Sequence, residues 1–124
     1  MPRFLLMSAA LSAMLAVVLG AFAAHGFKSR LSETLLASFQ TGVHYQFMHS
    51  LAVILVVILY RQQAHSLLLW SALLFFAGIL LFSGSLYGLS LTQIKVFGPI
   101  TPLGGLCFIA GWISMFMAIW RSHP

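Results

Sequence analysis

With 124 residues, 61% hydrophobic and only 6% charged, and a mean hydropathy of +1.05, the chain cannot cover a water-facing surface as a soluble domain with about 25% charged residues does. The composition is that of an integral membrane protein, read as a single transmembrane domain over residues 1–124. The net charge of +5 comes from six basic residues against one acid, Glu33; Arg3, Lys28, Arg30, Arg61, Lys95 and Arg121 lie in gaps between apolar runs or at the ends, where they contact headgroups, and they lack the clustered footprint of a nucleic-acid binder.

The first apolar run, about residues 4–24, is close to the roughly 20 residues needed to span a bilayer. It opens like a signal peptide, with Arg3 first and Ala21-Phe22-Ala23 in an A-x-A arrangement. It is longer than a signal core, however, and is expected to be a retained anchor. Ser8, Ser12, Ala16, Gly20 and Ala24 recur every fourth residue, a small-residue stripe that lets a second backbone approach closely.

The stretch His25 to Gln40 is too polar to span. Gly26 suits a helix end, Ser29 or Ser32 can cap a new helix, and Glu33 falls favourably in its first turn. Leu31, Leu35 and Phe39 share one face, which predicts a short helix lying in the interface. Continued unbroken to Tyr60, it would be about 44 Å long at 1.5 Å per residue, against a hydrocarbon core of about 30 Å, so a bend near Gly42 is expected.

The second span is placed at about residues 42–60 and ends in a short polar connection, Arg61 to His65. The third, about 67–91, carries Phe82 to Gly88 (FSGSLYG), in which Gly84 and Gly88 form a G-x-x-x-G pair. After a turn holding Lys95, the fourth span runs over about 98–120, with Pro99 in the turn, Thr101 as N-cap and Pro102 at the first helical position. Ala110, Ser114 and Ala118 make another small-residue stripe, and Tyr60-Arg61 and Trp120-Arg121 are interfacial anchors. The expected fold is all-α: four transmembrane helices in an up-down antiparallel bundle, with a short interfacial helix between the first and second spans. Three basic residues flank the spans on each side, so charge sets no orientation.

In that topology the polar residues gather toward one end: His25 on the first span, Tyr45, Gln46 and His49 on the second, Ser83, Ser85 and Tyr87 on the third, and Thr101 at the start of the fourth. Gly42, Tyr45, Gln46 and His49 share a face by the three- and four-residue rule, whereas His44 lies about 160° from Gln46 around the helix and points toward headgroups or the interfacial helix. One reading is interhelical glue, with hydrogen bonds of about 0.6–2 kcal/mol each. The other is a proton, ion or headgroup site, since histidine titrates near neutrality and two helix N-termini face that end. No span carries an acid.

Ser50, Ser83 and Ser85 offer hydroxyls and His49 a base, yet no buried carboxylate orients that base, so no catalytic residue is assigned. His25, His44 and His49 match no short ligand motif, so no metal site is expected, and no cofactor is expected either. Cys107, the sole cysteine, reads as a small packing residue.

Four ordered motifs, LGAFAAHG (Leu19 to Gly26), FQTGVHYQFMHSLA (Phe39 to Ala52), LFSGSLYGLSL (Leu81 to Leu91) and ITPLGGLCFIAGW (Ile100 to Trp112), resemble those of domain of unknown function 423, the YgdD-like small inner membrane proteins. The resemblance covers nearly the whole chain and implies a four-span protein of the bacterial inner membrane. It implies no activity. The expectation is a small membrane protein, not an enzyme, serving as a structural or accessory component of a membrane complex. The alternative is a small channel, carrier or lipid- or proton-handling protein built on the polar cluster. The expected partners are membrane lipids and a membrane-protein partner or further copies of the chain as a homo-oligomer, with no nucleic acid.

Overall fold

A computed structural model describes residues 1–122. Helix is the only regular structure among them, in four segments each long and apolar enough to cross a membrane: α1, Pro2–His25; α2, Glu33–Gln62; α3, Ser66–Thr92; and α4, Phe97–Arg121. α1 packs on α2, α2 on α3, and α3 on α4. The buried apolar core is built mainly from α2 and α3 (Val53, Val56, Val57, Leu68, Ala72 and Phe75), joined by Leu5 and Ala9 of α1 and Phe108 and Ala118 of α4.

The α1 face against α2 is lined by Leu5, Ala9, Ala16 and Ala23, all buried. A stripe stepping strictly by four residues drifts around a helix of 3.6 residues per turn, so Ser12 and Ala16 of the expected stripe lie on the contact line while Ala24 has turned outward. The opposite face shows Phe4, Met7, Leu11, Met14 and Phe22.

α2 is one continuous helix of 30 residues. The separate interfacial helix expected ahead of Gly42 is not a distinct element among the described residues; residues 33–41 are the first turns of α2. Ser32 caps it, its hydroxyl accepting from the Leu35 N–H at 3.2 Å, with Glu33 in the first turn. No proline follows, and no glycine takes a positive φ, so nothing interrupts the hydrogen-bond ladder at Gly42.

α4 begins earlier than the proline pattern suggests, at Phe97. Pro99 falls among the first four residues, whose N–H groups have no partner in the helix in any case. Thr101 is therefore internal rather than an N-cap; its hydroxyl donates to the Phe97 carbonyl at 3.3 Å. Pro102, also internal, forgoes a bond to the Gly98 carbonyl at an exposed end of the helix.

Aromatic side chains seated on glycines close the α3–α4 interface. Phe108 covers Gly78 and Phe75 covers Gly111, and the backbone of Phe82 lies directly on Gly104. A methyl group at any of these glycines overlaps its neighbour. Of the expected G-x-x-x-G pair, Gly88 faces the Phe97 ring while Gly84 opens onto free space, so the pair does not form one packing face within the chain.

α3 widens into a π-helical turn over Ile79–Ser83, where the Gly84 N–H reaches the Ile79 carbonyl five residues back. Ser85 donates to the Phe82 carbonyl at 2.9 Å, satisfying a backbone acceptor inside the irregular turn. At this turn Gly42 of α2 lies against the Ser83 carbonyl and Gly104 of α4 against the Phe82 backbone.

Candidate functional site

Polar side chains meet where the helices touch, and Gln46 is the most connected of them. It is 6% exposed. Its Nε2 donates to the Ser12 carbonyl of α1 at 2.9 Å, with Ser12 Oγ at 3.4 Å, and its Oε1 accepts from the Tyr87 hydroxyl of α3 at 2.6 Å. Ser50, one turn further along α2, has its Oγ 2.8 Å from Ser12 Oγ and 2.6 Å from the Gln46 carbonyl. Helical spacing puts Gln46 and Ser50 on one face. An amide can donate and accept at once, and this one links α1 to α3 through α2.

His49 forms a second centre on the same helix. It is 2% exposed, its Nδ1 lies 2.8 Å from the Tyr45 carbonyl, and its Nε2 accepts from the Trp112 indole of α4 at 3.1 Å. The imidazole stacks on Phe108 with centroids 3.7 Å apart, and Tyr45, Phe75 and Trp112 complete an aromatic surround.

Ser83 donates to the Gly42 carbonyl at 2.7 Å, and Ser85 Oγ lies 2.5 Å from Thr101 Oγ1. Three further serines staple neighbouring helices: Ser71 to the Gly111 carbonyl, Ser90 to Leu35 and Ser114 to Leu67, at 2.8, 3.1 and 2.6 Å. No buried side-chain nitrogen or oxygen among the described residues lacks a partner.

Of the eight residues singled out from the sequence, the structure brings Gln46 together with Tyr87, and Ser85 with Thr101, while Ser83 joins the backbone of α2. His49 lies in the aromatic centre beside Tyr45, whose ring contributes packing against Phe82 and Phe108. His25 is the last residue of α1 and is exposed. His44, set apart by the helical wheel, is exposed and bonds the Gln40 carbonyl through Nδ1 at 3.1 Å.

Sequence reasoning missed Ser12, Ser50 and Trp112 as members. Ser12 was visible as part of a small-residue stripe, and Trp112 as an aromatic within an apolar run; neither position carries a sign of its partner. Chemically, the arrangement holds helices in register. Surface pockets lie elsewhere. A groove of about 240 Å³ between α1 and α2 is lined by Ala16, Val17, Gly20, Val43, His44 and Phe47, and one of about 280 Å³, where the α2–α3 loop meets the end of α4, includes Gln62, Gln63, His65 and Ser122.

Residues 19–105 match a family model described as protein of unknown function (DUF423). The chain is 45% identical over 112 residues to a UPF0382 membrane protein of Staphylococcus aureus (strain bovine RF122 / ET3-1), covering 90% of this chain and 91% of that one. It is 46% identical over 110 residues to the UPF0382 membrane protein YwdK of Bacillus subtilis (strain 168), covering 88% and 89%. It is 36% identical over 119 residues to the UPF0382 inner membrane protein YgdD of Escherichia coli (strain K12), covering 96% and 91%. No solved structure matches the chain.

Proposed function

Because the chain belongs to the DUF423 family of multi-pass inner (plasma) membrane proteins of unknown function, we propose that it acts through its outer surface, as a non-enzymatic structural or accessory component of a membrane complex. The observation that carries this reading is the closed hydrogen-bond account of the interior: every buried polar side-chain atom among the described residues already has a partner. A carrier or enzyme centre keeps donors or acceptors open for its substrate. Here the amide of Gln46 and both ring nitrogens of His49 are committed to helix contacts. The glue reading of the polar residues therefore takes precedence over the channel or carrier reading.

In this reading the four helices cross the bilayer in up-down order. The pairings that support it run in opposite senses along each neighbouring pair: Ser12 with Ser50 and Gly20 with Val43; Phe75 with His49 and Ser90 with Leu35; Ser71 with Gly111 and Ser85 with Thr101. α2, at about 45 Å for 30 residues, exceeds a core of about 30 Å, so its first turns, residues 33–41, lie in the interface.

Crosslinking in native membranes followed by mass spectrometry tests the proposal. A stoichiometric membrane-protein partner, or a second copy of the chain, is expected; recovery of the chain alone as a monomer overturns it.

A further inference from the structure

We propose that the groove between α1 and α2 is a binding site for one anionic phospholipid, with an acyl chain against Ala16, Val17, Gly20, Val43 and Phe47 and the headgroup held near His44, Lys28 and Arg30. Its floor is small: Ala16 is fully buried, and a Cβ at Gly20 would meet Val43 Cγ1 at 3.4 Å. The helices therefore nearly touch at the bottom of the groove, while Val17 and Phe47, both exposed, stand as its walls. Such a channel on a membrane-facing surface takes a flexible hydrocarbon chain.

His44 is the one side chain with a polar group among the lining residues. Its Nδ1–H donates to the Gln40 carbonyl at 3.1 Å, which leaves the Nε2 lone pair free to accept from a headgroup hydroxyl. Depth agrees with that role. Counting about 20 residues per hydrocarbon thickness back from the Tyr60-Arg61 anchor reaches residue 41, about one turn before His44. Counting forward from Arg3 along α1 reaches Ala23, about one turn beyond Gly20. Both walls of the groove thus end at one interface, the one carrying the loop from Gly26 to Ser32 that joins these two helices.

That loop holds Lys28 and Arg30, both exposed, and charge selects the occupant. A second copy docked by the same groove about a two-fold axis would bring four loop cations together against two acids, the Glu33 pair. An anionic phosphodiester instead neutralises the cations of one chain. The depth count rests on the bilayer placement proposed above. The lipid assignment does not need a partner protein, so it can fail or stand independently of the accessory role.

Native mass spectrometry of the detergent-purified chain with added phosphatidylglycerol or phosphatidylcholine is the test. The wild type is expected to retain one phosphatidylglycerol, with a preference of about tenfold or more over phosphatidylcholine from two surface cations. Val17→Trp, at an exposed position, is expected to abolish retention of both lipids at unchanged thermal stability. The Lys28→Gln/Arg30→Gln double variant, altered only in the loop, is expected to bind the two lipids equally. Equal retention of both lipids by the wild type, selectivity that survives loss of both cations, or a lipid-free dimer overturns the proposal.

Discussion

The Trp112 indole of α4 donates its N–H to Nε2 of His49 on α2 across 3.1 Å. An indole N–H can only donate, so Nε2 is the acceptor and the ring proton sits on Nδ1, where it is given to the Tyr45 carbonyl at 2.8 Å. His49, the one buried histidine among the described residues, is therefore a neutral Nδ1–H tautomer with no free lone pair. It holds α4 against α2, and it cannot take a proton from a substrate while that contact stands.

Trp112→Phe keeps an aromatic ring against Phe75 but removes the donor together with part of the indole. Nε2 of a side chain that is 2% exposed is then left unsatisfied, at a cost of about 1–2 kcal/mol. The variant is expected to melt lower in detergent. Nitrogen-15 spectra of the wild type should show the Nδ1-protonated tautomer; an Nε2–H signal would sink this assignment.

Gln46 and Tyr87 are tied by the 2.6 Å bond from the phenol to the amide oxygen. Gln46→Leu also breaks the bond to Ser12, whereas Tyr87→Phe removes the shared bond alone. A double-mutant cycle in detergent unfolding should give a coupling of about 0.6–1.7 kcal/mol, the range for membrane interhelical bonds. Effects that add to within about 0.3 kcal/mol would show the two residues to be independent.

The glycines separate sharply. A methyl at Gly104 runs into the backbone of Phe82, which no rotamer change relieves, whereas a Cβ at Gly84 meets nothing within 4 Å. Gly104→Ala is expected to destabilise by about 2–3 kcal/mol as an overpacked site. Gly84→Ala should be neutral or stabilising by up to about 1 kcal/mol through helix propensity. Paired thermal melts decide it, and equal effects would contradict the packing described.

Much of the fold was legible in the sequence because bilayer physics is severe: an apolar run of spanning length must satisfy its own backbone, and only a helix does so in one segment. The four apolar helices and the Ser32 cap with Glu33 behind it follow from that and from capping chemistry. The continuity of α2 was not legible, since length against membrane thickness argues for a separate short interfacial helix, whereas the chain, capped at Ser32 and free of proline as far as Gln62, runs on as one helix. The early start of α4 was hidden by two prolines that a first turn tolerates. At the polar sites, period and depth singled out Gln46, His49 and Tyr87. Their partners Ser12 and Trp112 depend on helix rotation within about one residue, and a pattern of small or apolar side chains leaves that angle open.

α3 ends at Gln93, the one described non-glycine residue with positive φ, at 57°. Its N–H bonds the Leu89 carbonyl at 2.8 Å, closing the helix in the left-handed geometry that ordinarily favours glycine. A side chain there costs about 1 kcal/mol, because Cβ crowds the neighbouring carbonyl. Gln93 is exposed, and no hydrogen bond of its side chain offsets that cost among the described residues. Gln93→Gly should therefore stabilise the chain by up to about 1 kcal/mol, reduced by the greater freedom of glycine in the unfolded state. Gln93→Val, β-branched at the same φ, should destabilise it. Thermal melting of the two variants beside the wild type gives the order Gly above Gln above Val; a lower melting point for the glycine variant would place the end of α3 in a different backbone conformation.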